Sequence, residues 1–313
     1  MSNLATTSPW PELPYDEWRE TSATLHLWLQ IVGKIRLTQC PWLNHSWHVA
    51  LQVTARGLTT KLMPYGTEAL QIDFDFVAHH LVIGVTNGGV RSIPLQAQPT
   101  ASFYGKVMDA LTSLGVPVTI NTMPNELPDP IPFDRDELHC SYDREYANRY
   151  WRVLVQTERV FEEFRARFIG KSSPVHFFWG SADLAVTRFS GRTAPEHPGG
   201  VPHLPDWVAR EAYSHEVSSA GFWAGGEQYP QATFYSYAYP EPPGFASAPV
   251  RPAAALFSDV LKEFVLPYAE MRRSASPDEA LLEFLQSTYE AAATLGYWDR
   301  AALEQVNSIH RSR

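Results

Sequence analysis

Apolar positions along the chain change period several times, and each change marks an element. Between residues 22 and 37, Leu25, Trp28, Leu29, Val32 and Ile35 recur every three or four positions, which predicts an amphipathic helix. Trp47, Val49, Leu51 and Val53 then alternate with His48, Ala50, Gln52 and Thr54, the period of a half-buried strand. Ile72, Phe74 and Phe76 alternate with Asp73 and Asp75 in a further strand. Leu81 to Thr86 runs into Asn87-Gly88, a pair that tolerates left-handed backbone, and Val90 to Leu95 returns, so a hairpin is expected. A helix over 100–114 and a short strand over 116–120 complete the first half.

Residues 123–137, MPNELPDPIPFDRDE, hold four prolines and can extend neither helix nor strand, which makes them the linker candidate. A long helix is expected over 146–168, with Tyr150, Val153, Leu154, Phe161, Phe164 and Phe168 on its apolar stripe and Gly170 as its cap. Strands follow at about 174–180, 183–189, 214–223 and 232–239, then a helix over 252–270. Another helix opens at Pro277-Asp278 and runs through Thr294, and a short one ends the chain. The expected fold class is therefore α+β: two successive helix–antiparallel-sheet–helix halves, 1–122 and 123–313, with a C-terminal helical extension. Leu29-Gln30 followed by Trp47-His48 resembles Val155-Gln156 followed by Val175-His176, so the halves are candidates for an internal duplication. Coincidence between two ordinary α+β halves is the competing reading. The first half is expected to be mainly scaffold.

Composition narrows the class without naming a function. The 313 residues are 44% hydrophobic and 19% charged, as in ordinary globular proteins. The formal charge is −9, and the one local basic patch, Arg165, Arg167 and Lys171, sits at an expected helix end, so nucleic acid is not an expected partner. No apolar run approaches the roughly 20 residues of a membrane span, so no membrane association is expected. The opening MSNLATTSPWPELPYDEW has neither a basic n-region nor an apolar h-region, and a secretory signal is not expected. Two cysteines, Cys40 and Cys140, cannot build a disulfide framework, which makes a cytoplasmic location the expectation.

Candidate chemistry concentrates in residues 174–243, where polar-tipped aromatics and histidines crowd between Gly- and Pro-rich turns, as they do in pocket walls. His176, on a largely apolar strand, is a candidate proton carrier or ligand group; the plainer alternative is a core histidine with one partner. Glu216 is a candidate base, although its neighbour His215 must leave the strand on the opposite face. Tyr235, Tyr237 and Tyr239 form a stripe that could wall a pocket, or simply cover an exposed sheet face. Arg188 at a pocket mouth would suit a carboxylate or phosphate. The segment Ser190–Pro205, SGRTAPEHPGGVPHLP, has the composition of a lid and carries His197. The expected ligand-binding set is Arg188, His197, Tyr213, His215, Tyr235 and Tyr237, with His176 and Glu216 catalytic. No local metal motif is present, so no metal is assigned; His176, His197 and Glu216 are the set that would hold one. The nucleophile-elbow, Walker A and strand-coupled dinucleotide motifs are missing too, and no cofactor is named. The leading expectation is an intracellular enzyme acting on a small molecule. A non-catalytic ligand-binding or sensing protein is the second reading, and a homo-oligomer or partner interface made of the aromatic surface is the third.

Several long segments carry a resemblance. They include WPELPYDEW from Trp10, LHLWLQIVGKIRL from Leu25, RGLTT from Arg56 and QIDFDFV from Gln71. RARFIGKSSPVHFFWGSADLAVTRFSGR from Arg165, EHPGGVPHLPD from Glu196 and REAYSHEVSSAGFW from Arg210 continue it, with AYPEPPGF from Ala238 and LLEFLQSTYEAAA from Leu281. Together they resemble a bacterial family of unknown function, domain family 5996, over nearly the whole chain. The resemblance implies a cytosolic bacterial protein and supplies no activity, cofactor or catalytic residue.

Overall fold

The computed structural model describes residues 9–305. Helix α1, Tyr15–Gln39, starts after Pro14 with Asp16 and Glu17 in its first turn, where carboxylates favour the exposed N–H groups. It is longer at both ends than the apolar period suggests, and it buries Leu25, Trp28, Ile31, Val32 and Ile35. The strand expected over 47–54 contracts to β1, Gln52–Val53, because Asn44–Ser46 form a tight turn with His45 and Ser46 in left-handed backbone. Strands β2 (Gly57–Thr59), β3 (Met63–Tyr65), β4 (Glu68–Asp75), β5 (His80–Val85) and β6 (Val90–Pro94) complete an antiparallel sheet in the order β1-β2-β4-β5-β6, with β3 also on β4. Helix α2, Thr100–Ser113, follows and buries Phe103, Val107 and Leu111. Residues 116–120 form no strand: Val116 and Ile120 are buried, but the segment has no ladder partner and Pro117 has no N–H to donate.

Residues 123–137 are irregular, as their prolines require, yet they are tied down. Lys34 Nζ donates to the Met123 carbonyl at 2.6 Å, and the ring of Phe133 is fully buried. Helix α3, Arg144–Ala166, is capped by Asp143, whose carboxylate accepts from the N–H groups of Glu145 and Tyr146. It stops short of Gly170, where a Cβ would lie 2.5 Å from Leu303, so that glycine serves close packing and not the helix end.

The second sheet holds β7 (His176–Phe178), β8 (Asp183–Thr193), β9 (His215–Trp223), β10 (Thr233–Tyr239), β11 (Leu256–Ser258) and β12 (Glu263–Pro267), all antiparallel in the order β7-β8-β9-β10-β12-β11. Helix α4, Asp206–Ala212, lies between β8 and β9. The helix expected over 252–270 is absent. Its stretch is β11, β12 and the short α5, Tyr268–Arg273. The edge of β10 offers unpaired backbone groups that β12 satisfies, with Phe234 opposite Leu266 and Tyr235 opposite Val265, and this outweighs the local helical composition. Helices α6, Pro277–Leu295, and α7, Arg300–Leu303, end the described chain.

The fold class is α+β, and each half runs helix, six-stranded antiparallel sheet, helix. The sheets meet edge to edge where Leu51 and Phe177 exchange two backbone hydrogen bonds of 2.8 Å. One buried core runs through both halves. Helices α3 and α6 cover one face of the second sheet, where Phe161, Phe164 and Phe284 belong to the same core as Phe222 and Phe234. The opposite face carries a cavity.

Candidate functional site

Side chains alternate across a strand, so the pairing register states which residues share the uncovered face. One cross-strand row runs Phe178, Asp183, Trp223, Thr233, and the next runs His176, Ala185, Gly221, Tyr235. A third holds Thr187, Ser219 and Tyr237, and Glu263 follows from β12. These rows floor a cavity of about 610 Å³. Its other walls are the turn around Trp42–Trp47, residues Asn125 and Glu126, the segment Val201–Pro205 and helix α4. Trp42 and Trp207, with ring centroids 4.8 Å apart, line it and remain exposed, which marks the mouth.

Asp183 is the centre of the polar floor. Its Oδ1 accepts from Ser181 Oγ at 2.5 Å and its Oδ2 from the Tyr235 hydroxyl, while the residue is only 6% exposed. Tyr235 reaches it by lying across Gly221: a Cβ there would sit 2.3 Å from the tyrosine ring and hydroxyl. Tyr213, at the end of α4, shares a 2.8 Å hydrogen bond with the Tyr237 hydroxyl and so ties that wall to the floor. Glu126, in left-handed backbone with φ 61°, rests over Gly180, where a Cβ would collide with its carboxylate. Gln30 of α1 holds the neighbouring Asn125 by two bonds, accepting from its N–H at 2.8 Å and donating to its carbonyl at 2.9 Å. Glu263 Oε2 is buried and has no hydrogen-bond partner among the described residues. The His176 ring is 2% exposed and makes no hydrogen bond among the described residues; it meets the rings of Phe178 and Trp47 edge-on.

Burial in an aromatic cavity sets the protonation states. It raises Glu126 to about 7 and Glu263 to about 8, with the Asp183 charge adding to both. Burial raises Asp183 as well, against the hydrogen bonds from Ser181 and Tyr235 that favour its anion. Burial pushes Tyr213 up to about 12 and also raises Tyr235 and Tyr237 well above the ordinary tyrosine range, so these phenols remain hydrogen-bond donors. His176 falls to about 3, chiefly by burial, and is neutral near physiological pH.

The residues singled out from the sequence divide into two groups. His176, Tyr213, Tyr235 and Tyr237 line the cavity together. The others lie elsewhere. Arg188 is not at the mouth: it is on the covered face, 1% exposed, with its guanidinium 3.5 Å from the Phe164 ring centre and 4.3 Å from that of Tyr289, donating to the Phe164 carbonyl. Glu216 is also on the far side from the cavity floor, held by Arg192 at 2.6 Å. His197 stacks on Tyr213 at 4.7 Å without lining the cavity, and His215 lies beside Ser214 and His45. The conditional metal set His176, His197 and Glu216 is thereby dispersed, and among the described residues no group of three or more His, Cys, Asp or Glu could hold a metal ion. The lid segment begins as strand, since β8 continues to Thr193 through a register shift after Phe189.

Glu126, Asp183 and Glu263 escape sequence reasoning for different reasons. Glu126 falls in the proline-rich segment, Asp183 is the first residue of a strand, where its face is not yet marked by alternation, and Glu263 lies in a stretch whose composition favours helix. One signal was available: a glycine inside a strand, Gly221, marks the close approach of another group.

The chain matches a family described as "Family of unknown function (DUF5996)" over residues 10–305. The chain belongs to this family. The matched range includes both sheets and every wall of the cavity. Neither the curated proteins nor the solved structures contain a match to the chain. No described helix is long and apolar enough to cross a membrane.

Proposed function

We propose that this protein is an enzyme that acts on a small molecule by acid–base chemistry in the cavity of the second half. The observation that carries the reading is the convergence of Glu126, Asp183 and Glu263 on one aromatic cavity of drug-molecule size. In this reading Glu126 and Glu263, with carboxyl pKa values near 7 and 8, exchange protons with the substrate near neutral pH. Asp183 orients the Tyr235 hydroxyl as a fixed donor, and neutral His176 offers a further hydrogen-bonding nitrogen on the floor. The segment ending at Pro205, with α4, serves as the lid. A cytoplasmic setting in a bacterial cell agrees with two free cysteines and with the family resemblance.

The test is untargeted. The full chain is incubated with a metabolite extract, and depletion and product formation are followed by mass spectrometry beside Asp183→Asn and Glu126→Gln. Conversion of at least one compound by the parent protein, lost in both variants, is the expected result. A compound retained in native mass spectra without conversion would replace the enzyme with a ligand-binding protein using the same cavity.

A further inference from the structure

We infer that the ligand of this cavity is an organic cation, its ammonium group drawn into the field of the carboxylates of Asp183, Glu126 and Glu263 and its apolar body packed against the aromatic walls. The inference rests on the cavity being the functional site, and it adds the class of molecule that enters.

The charge balance of the lining carries it. Three carboxylates face the cavity, and among the described residues no lysine or arginine lines it. Lys171, which does not line the cavity, is engaged by residues that do: its Nζ is 2.6 Å from His45 Nε2 and sits over the Phe189 ring at 4.5 Å, while Arg165 and Lys61 reach the floor only as through-space charges on His176. Taking several like charges out of water without a counter-charge costs several kcal/mol per ion, so the site must be neutralised by protons or by a bound cation. Capacity to accept is left over at each acid. Among the described residues Glu263 Oε2 has no partner, the Glu126 carboxylate accepts no hydrogen bond, and Asp183 uses one bond on each oxygen. His176 adds a buried imidazole without a hydrogen-bond partner among the described residues, neutral and so able to accept from an N–H group.

The walls agree with the charge. Five tryptophans, Trp42, Trp47, Trp179, Trp207 and Trp223, line the space with three tyrosines. Trp223 and Phe178 occupy the same cross-strand row as Asp183, on either side of it. Aromatic faces attract cations through the ring quadrupole, most strongly for tryptophan and most strongly when water is excluded. An anion would meet three carboxylates. A neutral molecule of the same shape would gain the apolar contact and leave the acids holding their protons, without the charge attraction.

Two pairs of probes test this with the full chain by isothermal titration: choline against 3,3-dimethylbutan-1-ol, and phenethylammonium against 2-phenylethanol. Each pair keeps its shape closely and changes the charge; the first contrasts a quaternary ammonium, the second a primary one. The expected result is at least about tenfold tighter binding of the cation in one pair or both. Titration in buffers of different ionisation enthalpy should show protons released by the cation and none by the alcohol. Glu126→Gln, a change on an irregular segment, should weaken the cation and spare the alcohol, and it serves if Asp183→Asn does not fold. Neutral probes binding as tightly as cations, with all binding lost on filling the floor by Ala185→Phe, would overturn the cation and keep the cavity. If no probe binds and Ala185→Phe also leaves metabolite conversion unchanged, the inference and the site on which it rests both fall.

Discussion

A missing side chain at Gly221 lets a tyrosine cross the sheet. Because Tyr235 occupies the space a Cβ would need, Gly221→Ala should push the ring off Asp183 and destabilise the protein by about 1–3 kcal/mol. Tyr235→Phe removes the hydroxyl alone. If the two act through one contact, their costs in urea unfolding will be clearly non-additive, with the alanine costing less when the hydroxyl is gone; additive costs would separate Gly221 from the hydrogen bond. The titrating residues make a second prediction. Glu126 and Glu263 hold their protons to about 7 and 8 in the folded chain and release them near 4.5 when unfolded, so the native state binds more protons and stability falls as pH rises through that interval. His176 has the opposite sign: its folded value of about 3 lies below the ordinary 6.5, so stability falls as pH drops from 6.5 towards 3. Thermal melts from acid to alkaline buffer should therefore peak in the mildly acidic range. Replacing both glutamates by glutamine should make the alkaline fall shallower, with Glu158 and Asp183, also raised by burial, keeping part of it, and leave the acid side in place.

At the scale of elements, a stretch whose composition suggests a linker supplies a wall of the site. Residues 123–126 are held by α1, through Lys34 at Met123 and Gln30 at Asn125, and this delivers Glu126 to the cavity. Gln30 is fully buried, so Gln30→Ala strands the backbone N–H and C=O of Asn125 at a cost on the order of 1–3 kcal/mol. The expected outcome is faster hydrogen exchange confined to residues around Asn125, together with weaker retention of whatever the cavity binds. Unchanged exchange there would mean that the segment keeps its place without the helix. The same scale explains the helix expected over 252–270. Short-range composition favours helix there, and the partner that overrides it, the edge of β10, lies more than a dozen residues upstream.

Across the whole molecule the two halves depend on each other. Leu51 and Phe177 join the sheets, and Gly33 of α1 gives the Trp179 ring its room, with a Cβ there reaching 2.2 Å from the ring. With a single core shared in this way, urea unfolding followed by tryptophan fluorescence and by far-ultraviolet circular dichroism should trace one coincident transition. Two resolved transitions would show that the halves are independent units.

Period and turn chemistry were sufficient for much of this fold. The α+β class, the Asn87-Gly88 hairpin, α2, most of α3 and the strands β8 to β10 follow from local side-chain spacing, since a helix or a two-stranded turn selects its residues within a few positions. His176, Tyr235 and Tyr237 were also legible as one cavity wall, because alternation puts them on one face once their strands pair. Which face would be covered was not. The packing of α3 and α6 on the side of Phe222 and Phe234 sent Arg188 and Glu216 away from the cavity and left Asp183 in it, and no local pattern distinguishes the two faces of a strand that is buried on both. Glu126 and Glu263 reach the site from distant parts of the chain, so only tertiary structure could bring the three acids together.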